Sequence, residues 1–202
     1  IIFTLAISLV FTQAEMNFSY ELKYGEGSQV TGIASGDPKT SAYSYFENIL
    51  DINSYLGDNL YFYTQLEYSD APVFGSPKDG LNAFYLEYQA DPLSMKIGDL
   101  YELFGRGMSF YTYQDQNVDF DNSLQGLSLS YIVNDYLSLS TLLGKGDYHY
   151  RSNPSFRETN RKFNSTLLLT AINYEHDKMG YFQYINSNQK SIINPELAGI
   201  FE

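Results

Sequence analysis

From Phe18 onward, apolar residues recur at every second position in one segment after another. Phe18, Tyr20, Leu22 and Tyr24 share one parity, and Asn17, Ser19, Glu21 and Lys23 share the other. Leu60, Phe62, Leu66 and Tyr68 are set against Tyr61, Tyr63, Gln65 and Glu67; Phe84, Leu86 and Tyr88 are set against Tyr85, Glu87 and Gln89. The same holds for Leu127, Leu129, Tyr131 and Val133 against Ser128, Ser130 and Asn134, and for Leu137, Leu139 and Leu143 against Ser138 and Ser140. Successive side chains of a strand point to opposite faces, so each segment reads as a strand with one apolar and one polar face. A helix needs apolar residues three and four apart, and no sustained stretch shows that spacing. The fold class is all-β.

Short turns at Gly57-Asp58-Asn59, Asp91-Pro92, Asn134-Asp135 and His176-Asp177-Lys178 alternate with long polar segments at 25–40, 69–80, 98–123, 144–162 and from 187 onward. This spacing predicts a strand over 17–24 and hairpins pairing 43–53 with 60–68, 81–90 with 93–97, 124–133 with 136–143, and 163–175 with 180–186. Alternation of this kind suits a soluble sandwich with its apolar faces inward, or an antiparallel transmembrane β-barrel with them outward. Short turns alternating with long loops are the outer-membrane arrangement. Tyrosines expected near strand ends (Tyr20, Tyr24, Tyr43, Tyr68, Tyr88, Tyr131 and Tyr136) suit an aromatic girdle. The expectation is therefore the barrel. Single-chain bacterial barrels close with an even number of strands, so about nine strands predict the N-terminal part of a larger barrel over residues 15–202.

The first eleven residues are apolar and uncharged, and Thr12-Gln13-Ala14 follows with small residues where a signal peptidase cuts. We read 1–14 as a signal peptide whose charged n-region is missing, because the run is too short to cross a bilayer as a helix. Export places the barrel in the bacterial outer membrane, with membrane lipid and lipopolysaccharide around it. Twelve basic residues face 24 acidic ones, for a formal charge of −12. That balance argues against a nucleic-acid partner, which needs clustered Lys and Arg. With no Cys, disulfides, thiolate metal sites and a cysteine nucleophile are excluded.

On the polar parity, Glu21, Glu47, Asp51, Glu67 and Glu87 give a lumen a negative potential that favours cations. Their neighbours Tyr43, Tyr45, Tyr61, Tyr63 and Tyr85 offer rings for stacking on sugars. Among these, the pore-lining candidates are the five carboxylates with Tyr61, Tyr63 and Tyr85. The expected function is a porin-like channel for passive or weakly selective passage of small solutes, cations or sugars. The alternative is a surface barrel with a binding or structural role through its long acidic loops.

Segment 98–123 breaks the rhythm and reads as one excursion folded over or into the barrel mouth. Gly98, Gly105 and Gly107 permit positive φ there. Arg106 is expected to pair with carboxylates among Asp99, Glu102, Asp115, Asp119 and Asp121. Asp115, Asn117, Asp119 and Asp121 sit at alternate positions like calcium-loop ligands, but Phe120 and Gly126 stand where that loop needs Gly and Glu. They are candidates for an irregular surface Ca²⁺ site, and no cofactor is expected. His149 beside Ser152 is the one pair resembling a hydrolase site, without a third orienting group. His149 and His176 fall in a long loop and a short turn, on opposite membrane sides. The chain is not expected to be an enzyme.

The run Gly98-Asp99-x-Tyr101-Glu102-x-Phe104-Gly105-x-Gly107, followed by Asp121-Asn122-Ser123-Leu124-x-Gly126, resembles an uncharacterised family of porin-like outer-membrane β-barrel proteins of Bacteroidetes-type bacteria. The resemblance is concentrated in about thirty residues. It implies export and a large barrel, and it supplies no catalytic residues.

Overall fold

Among the described residues, nine long strands, each hydrogen-bonded to the next long strand in the chain, form one antiparallel meander. The computed structural model describes residues 14–31, 36, 38–70, 77–115, 120–150 and 161–193. The first five strands are β1 (Ala14–Thr31), β2 (Lys39–Leu56), β3 (Leu60–Asp70), β4 (Asp79–Ala90) and β5 (Leu93–Leu100). Four two-residue strands follow: β6 (Leu103–Phe104), β7 (Phe110–Tyr111), β8 (Gln114–Asp115) and β9 (Phe120–Asp121). The long strands resume with β10 (Leu124–Asn134), β11 (Leu137–Tyr150), β12 (Arg161–His176) and β13 (Gly180–Ile193). Every expected hairpin pairing is present, and β5 pairs directly with β10 across the excursion. Among the described residues the sheet does not close into a barrel: β1 and β13 occupy its two edges.

The four short turns lie where the sequence places them. Gly57 takes φ 66° at the β2–β3 turn, a conformation open to Gly at no steric cost. At the β10–β11 turn, Asn134 Oδ1 accepts the backbone N–H groups of Tyr136 (2.9 Å) and Leu137 (3.1 Å), a side chain standing in for a backbone turn bond. The other ends differ from expectation, because several strands run further. β1 continues to Thr31, β11 to Tyr150 and β13 to Ile193. In Gly25-Glu26-Gly27-Ser28 both parities are polar or lack a side chain, so alternation disappears while the backbone ladder to β2 continues. Residues 1–13 of the expected signal peptide lie outside the described residues, and Ala14 opens β1 opposite Leu56.

Register decides what each face carries. Glu21 lies opposite Ile49, Ile49 opposite Glu67, Tyr63 opposite Tyr85 and Glu87 opposite Lys96. Followed onward, this face holds Ser94, Ser130, Ser140, Ala171 and Ile185. The other face holds Phe18, Leu22, Phe46, Leu66, Ile97, Leu143 and Phe182, all exposed, with Phe18 and Phe182 each at 63%. Among the described residues no second sheet covers it, so the apolar rows do not meet across two layers as in a sandwich. Tyr24, Phe46 and Tyr68 cluster on this face at the long-loop end, with Phe46 and Tyr68 edge to face at 6.3 Å. Tyr43 departs from the expected girdle. Its parity puts it on the polar face, where its ring lies over Gly27 as that of Tyr45 lies over Gly25.

Gly98, Gly126 and Gly144 stand opposite one another across β5, β10 and β11. A Cβ on Gly126 would lie 2.0 Å from the Leu143 carbonyl oxygen, and one on Gly98 would lie 2.4 Å from that of Phe84. At Gly98 and Gly126 the backbones approach too closely for any side chain, Gly144 leaves only a tight fit, and such glycine lines are how sheets acquire curvature. Gly126→Ala is expected to destabilise the sheet by about 1–3 kcal/mol through overpacking. The check is a lower urea midpoint for the folded band on unheated gels.

Candidate functional site

The excursion, residues 101–123, folds back onto the polar face. It is built from two small pairings, β6 with β7 and β8 with β9, joined around a tight turn at Gly105–Gly107. Gly105 (φ 61°), Arg106 (φ 55°) and Gly107 (φ 81°) are three successive left-handed residues. Two of the three are Gly, which adopts that conformation freely, whereas Arg106 carries the steric penalty of a Cβ.

What holds the excursion down is an apolar patch within the polar face. Leu100, Leu124, Leu142 and Leu169 are fully buried there, joined by Leu167 and Ala171. Phe104 of β6 inserts among them, and Phe110 of β7 and Ile185 of β13 pack alongside. The Phe104 and Phe110 ring centroids are 6.4 Å apart. Burying a side chain of this size is worth about 1.5–3 kcal/mol, enough to seat a loop without a second sheet.

Hydrogen bonds then fix its course. Gly105 N–H donates to Gln183 Oε1 on β13 at 2.9 Å. Gln183 Nε2 donates to Asn173 Oδ1 (2.6 Å), and Asn173 Nδ2 donates to Ser138 (3.2 Å) and Ser140 (3.4 Å). Ser140 and Ser130 hydroxyls meet at 3.2 Å. At its other limb, Gln114 Nε2 reaches Gln65 Oε1 on β3 at 3.5 Å. Buried Thr112 accepts the Glu102 N–H (2.8 Å) and donates to the Leu100 carbonyl (3.0 Å). Asn122 Oδ1 accepts the Tyr113 N–H at 2.7 Å, while its amide donates to the Tyr111 carbonyl at 3.2 Å. Thus Asn122 serves the returning limb as a strand partner would.

The residues of the sequence motif find mostly structural employment. The β4–β5 ladder ends at Tyr85 opposite Gly98, and Asp99 Oδ2 takes over by accepting the Phe84 N–H at 2.7 Å. Asp121 accepts the Ser123 N–H (2.7 Å) and the Tyr101 hydroxyl (3.4 Å). Gly98 to Leu100 belong to β5, so the excursion begins three residues later than the spacing predicted. Arg106 is exposed and forms no ion pair with Asp99, Glu102 or Asp121, while the side chain of Asp115 and all of Asp119, the other two carboxylates expected near it, lie outside what is described. Asp99 is engaged with the Phe84 N–H, and Asp121 with the Ser123 N–H and the Tyr101 hydroxyl.

Between the excursion and the sheet lies a cavity of about 570 Å³. Its floor is a hydroxyl row, Ser94, Ser128, Ser130, Ser138 and Ser140, and its walls include Asn173 and Gln183. Glu87, Glu102 and Glu175 face it with Lys96, Tyr101 and Tyr181 add phenol rings, and Met95, Leu103 and Phe104 supply its apolar part. Burial raises the Glu102 pKa above the ordinary glutamate range, against the opposing pull of the Lys96 ammonium and the Ser128 hydroxyl. Burial likewise pushes the Tyr101 phenol up, reinforced by the Asp121 and Asp99 charges.

All eight pore-lining candidates share the polar face. Tyr55, Tyr61, Tyr85 and Tyr63 form a run with centroids 4.9, 5.7 and 5.2 Å apart, and Lys96 Nζ sits 4.0 Å above the Tyr85 ring. Tyr63 and Gln65 donate to Asp51 Oδ1 at 2.7 and 2.8 Å. Ser69 donates to Glu67 at 3.2 Å. Lys23 lies between Glu21 (3.6 Å) and buried Glu47 (3.5 Å), which offsets part of the expected negative field.

Asn117 and Asp119 of the calcium candidates lie outside the described residues, as does Ser152. Among the described residues no three acidic or histidine side chains gather as a metal would require. His149 lies on the end of β11 rather than in a loop, and His176 ends β12 beside a short turn. The two are at opposite ends of the sheet. Phe104→Ala is expected to loosen the excursion by about 3 kcal/mol, read as roughly hundredfold faster limited proteolysis within 101–123 while the sheet stays folded.

No curated protein and no solved structure matches the chain. Over residues 2–192 the sequence matches a family of unknown function (DUF6029), and with nearly its whole length inside that match, the chain belongs to this family.

Proposed function

We propose that the sheet forms the wall of a porin-like channel in a bacterial outer membrane, with the apolar face against lipid and the polar face lining a water-filled passage. The observation that carries this reading is the sidedness of the nine strands. One face exposes a continuous field of large apolar side chains, whereas a soluble monomer rarely exposes a contiguous apolar patch beyond a few hundred Å². Strands β3 and β10, 11 residues each, match the roughly 9–11 residues a tilted strand needs to cross the hydrocarbon core. The longer strands carry their hairpins past it on the long-loop side. Charges and amides on the opposite face are tolerable only where water or polar partners reach them. The excursion narrows the passage from within, resting on Phe104.

In this reading solutes pass by diffusion, and carboxylates near the constriction bias the passage towards cations. Full-length protein in planar bilayers is expected to give discrete conductance steps, larger in Phe104→Ala. A correctly folded protein that stays electrically silent would sink the proposal.

The pH dependence follows from Glu102. Its raised pKa means that, as pH falls, it takes up a proton before ordinary carboxylates do, and the constriction loses a negative charge. Cation preference, read from reversal potentials under a salt gradient, is expected to decline on acidification beginning above the usual glutamate range of ~4.3. Glu102→Gln is expected to remove that early phase.

A further inference from the structure

We propose that the cavity between the excursion and the serine row is a binding site for a neutral polyhydroxylated solute of mono- or disaccharide size. The inference rests on the channel reading, in that it takes the polar face to be open to water.

The first support is the hydrogen-bonding character of the lining. Each serine hydroxyl has one donor hydrogen and two acceptor positions, and Asn and Gln amides offer both roles. The contacts of Ser130, Ser140 and Gln183 leave spare capacity on these groups, whereas Asn173 is fully engaged, donating to Ser138 and Ser140 and accepting from Gln183 and Tyr181. A polyol presents the same dual character at short, regular spacing, so a row of hydroxyls matches it without any group being left in one obligatory role. An apolar solute would strand these groups unpaired, at about 1–3 kcal/mol for each one desolvated.

Charge supplies the second support. Glu87, Glu102 and Glu175 surround a single ammonium, that of Lys96, which is already placed over the Tyr85 ring. An anionic sugar would meet three carboxylates, whereas a neutral one would use them as acceptors from paired hydroxyls.

Third, the site is approached across aromatic rings. Tyr61 and Tyr85 lie beside Glu87 and Lys96, so the tyrosine run on β2–β4 leads into the cavity, whose own wall contains Tyr101 and Tyr181. A sugar ring has an apolar C–H face as well as a hydroxyl rim, and flat phenol rings suit the former as the serines suit the latter. The volume lies within the ~300–1,000 Å³ range of small-molecule sites.

The test uses full-length protein folded in a detergent without a sugar headgroup, with maltose, sorbitol and glucuronate as probes in saturation-transfer NMR. Maltose and sorbitol are expected to bind in the millimolar range and to compete with each other, with glucuronate at least tenfold weaker. The Ser130→Ala/Ser140→Ala double variant is expected to weaken maltose binding about tenfold, with folding checked by the heat-shifted band. Glu102→Gln is expected to let glucuronate in. Absence of maltose binding, equal binding of glucuronate, or indifference to the serine pair would each overturn the site. Conductance without sugar binding removes this inference and leaves the channel; sugar binding by a non-conducting barrel does the reverse.

Discussion

The structure depends on keeping a two-residue period in step across nine strands. A slip of one residue in any ladder would turn that strand's apolar row to the polar face and its charges to the other. Two irregularities are tolerated, one between Gln65 and Leu66 and one between Ile132 and Asn134. The first is absorbed by Asn82, whose amide donates to Gln65 Oε1 at 2.7 Å, so the extra residue acquires a partner on the polar side. The second lies beside a short turn, where few paired residues remain to be displaced. Between these points the ladders run without a shift.

A sheet with its apolar side facing outward has no conventional core, and the polar side must then supply the packing. Here the excursion does so. Its Phe104 meets leucines drawn from β5, β10, β11 and β12, and its hydrogen bonds reach from β3 to β13. The same segment therefore ties distant strands together and leaves the cavity over the serine row. The glycine line beneath it belongs to the same arrangement, because side chains there would lift the backbones apart.

Hairpin pairings, short turns and the two faces were legible in the sequence because they follow from local alternation and from Gly, Asn and Asp at the turns. Strand ends were not. Where Gly25-Glu26-Gly27-Ser28 is polar on both sides, nothing local distinguishes strand from loop, and the ladder to β2 decides. The apolar patch was equally hidden. In Leu167-Leu168-Leu169 both parities are apolar, and only the register with Leu142 and the distant Phe104 shows which leucines turn inward. Thr112 and Gln183 carried no signal of their own, since each acts through a partner set by tertiary position. The serine pairs Ser128/Ser130 and Ser138/Ser140 were visible as polar parity, but their joining into one row required the β10–β11 register. Arg106 was placed in the right loop, but its left-handed backbone was not legible, because residue type says nothing of it.

The two rings laid over glycines on the first hairpin bear on how that hairpin assembles. Beyond the level of Tyr24, β1 and β2 have no apolar row to fix their alignment, and many offsets would satisfy the backbone equally well. With Tyr45 seated on Gly25 and Tyr43 on Gly27, a shift by two residues in one direction sets Tyr45 against Lys23 and parts Lys23 from Glu47. The vacant positions thus act as a keyway: a two-residue shift in either direction leaves one ring without a glycine, and only the observed offset seats both, so this end of the hairpin is aligned by shape where greasiness has run out.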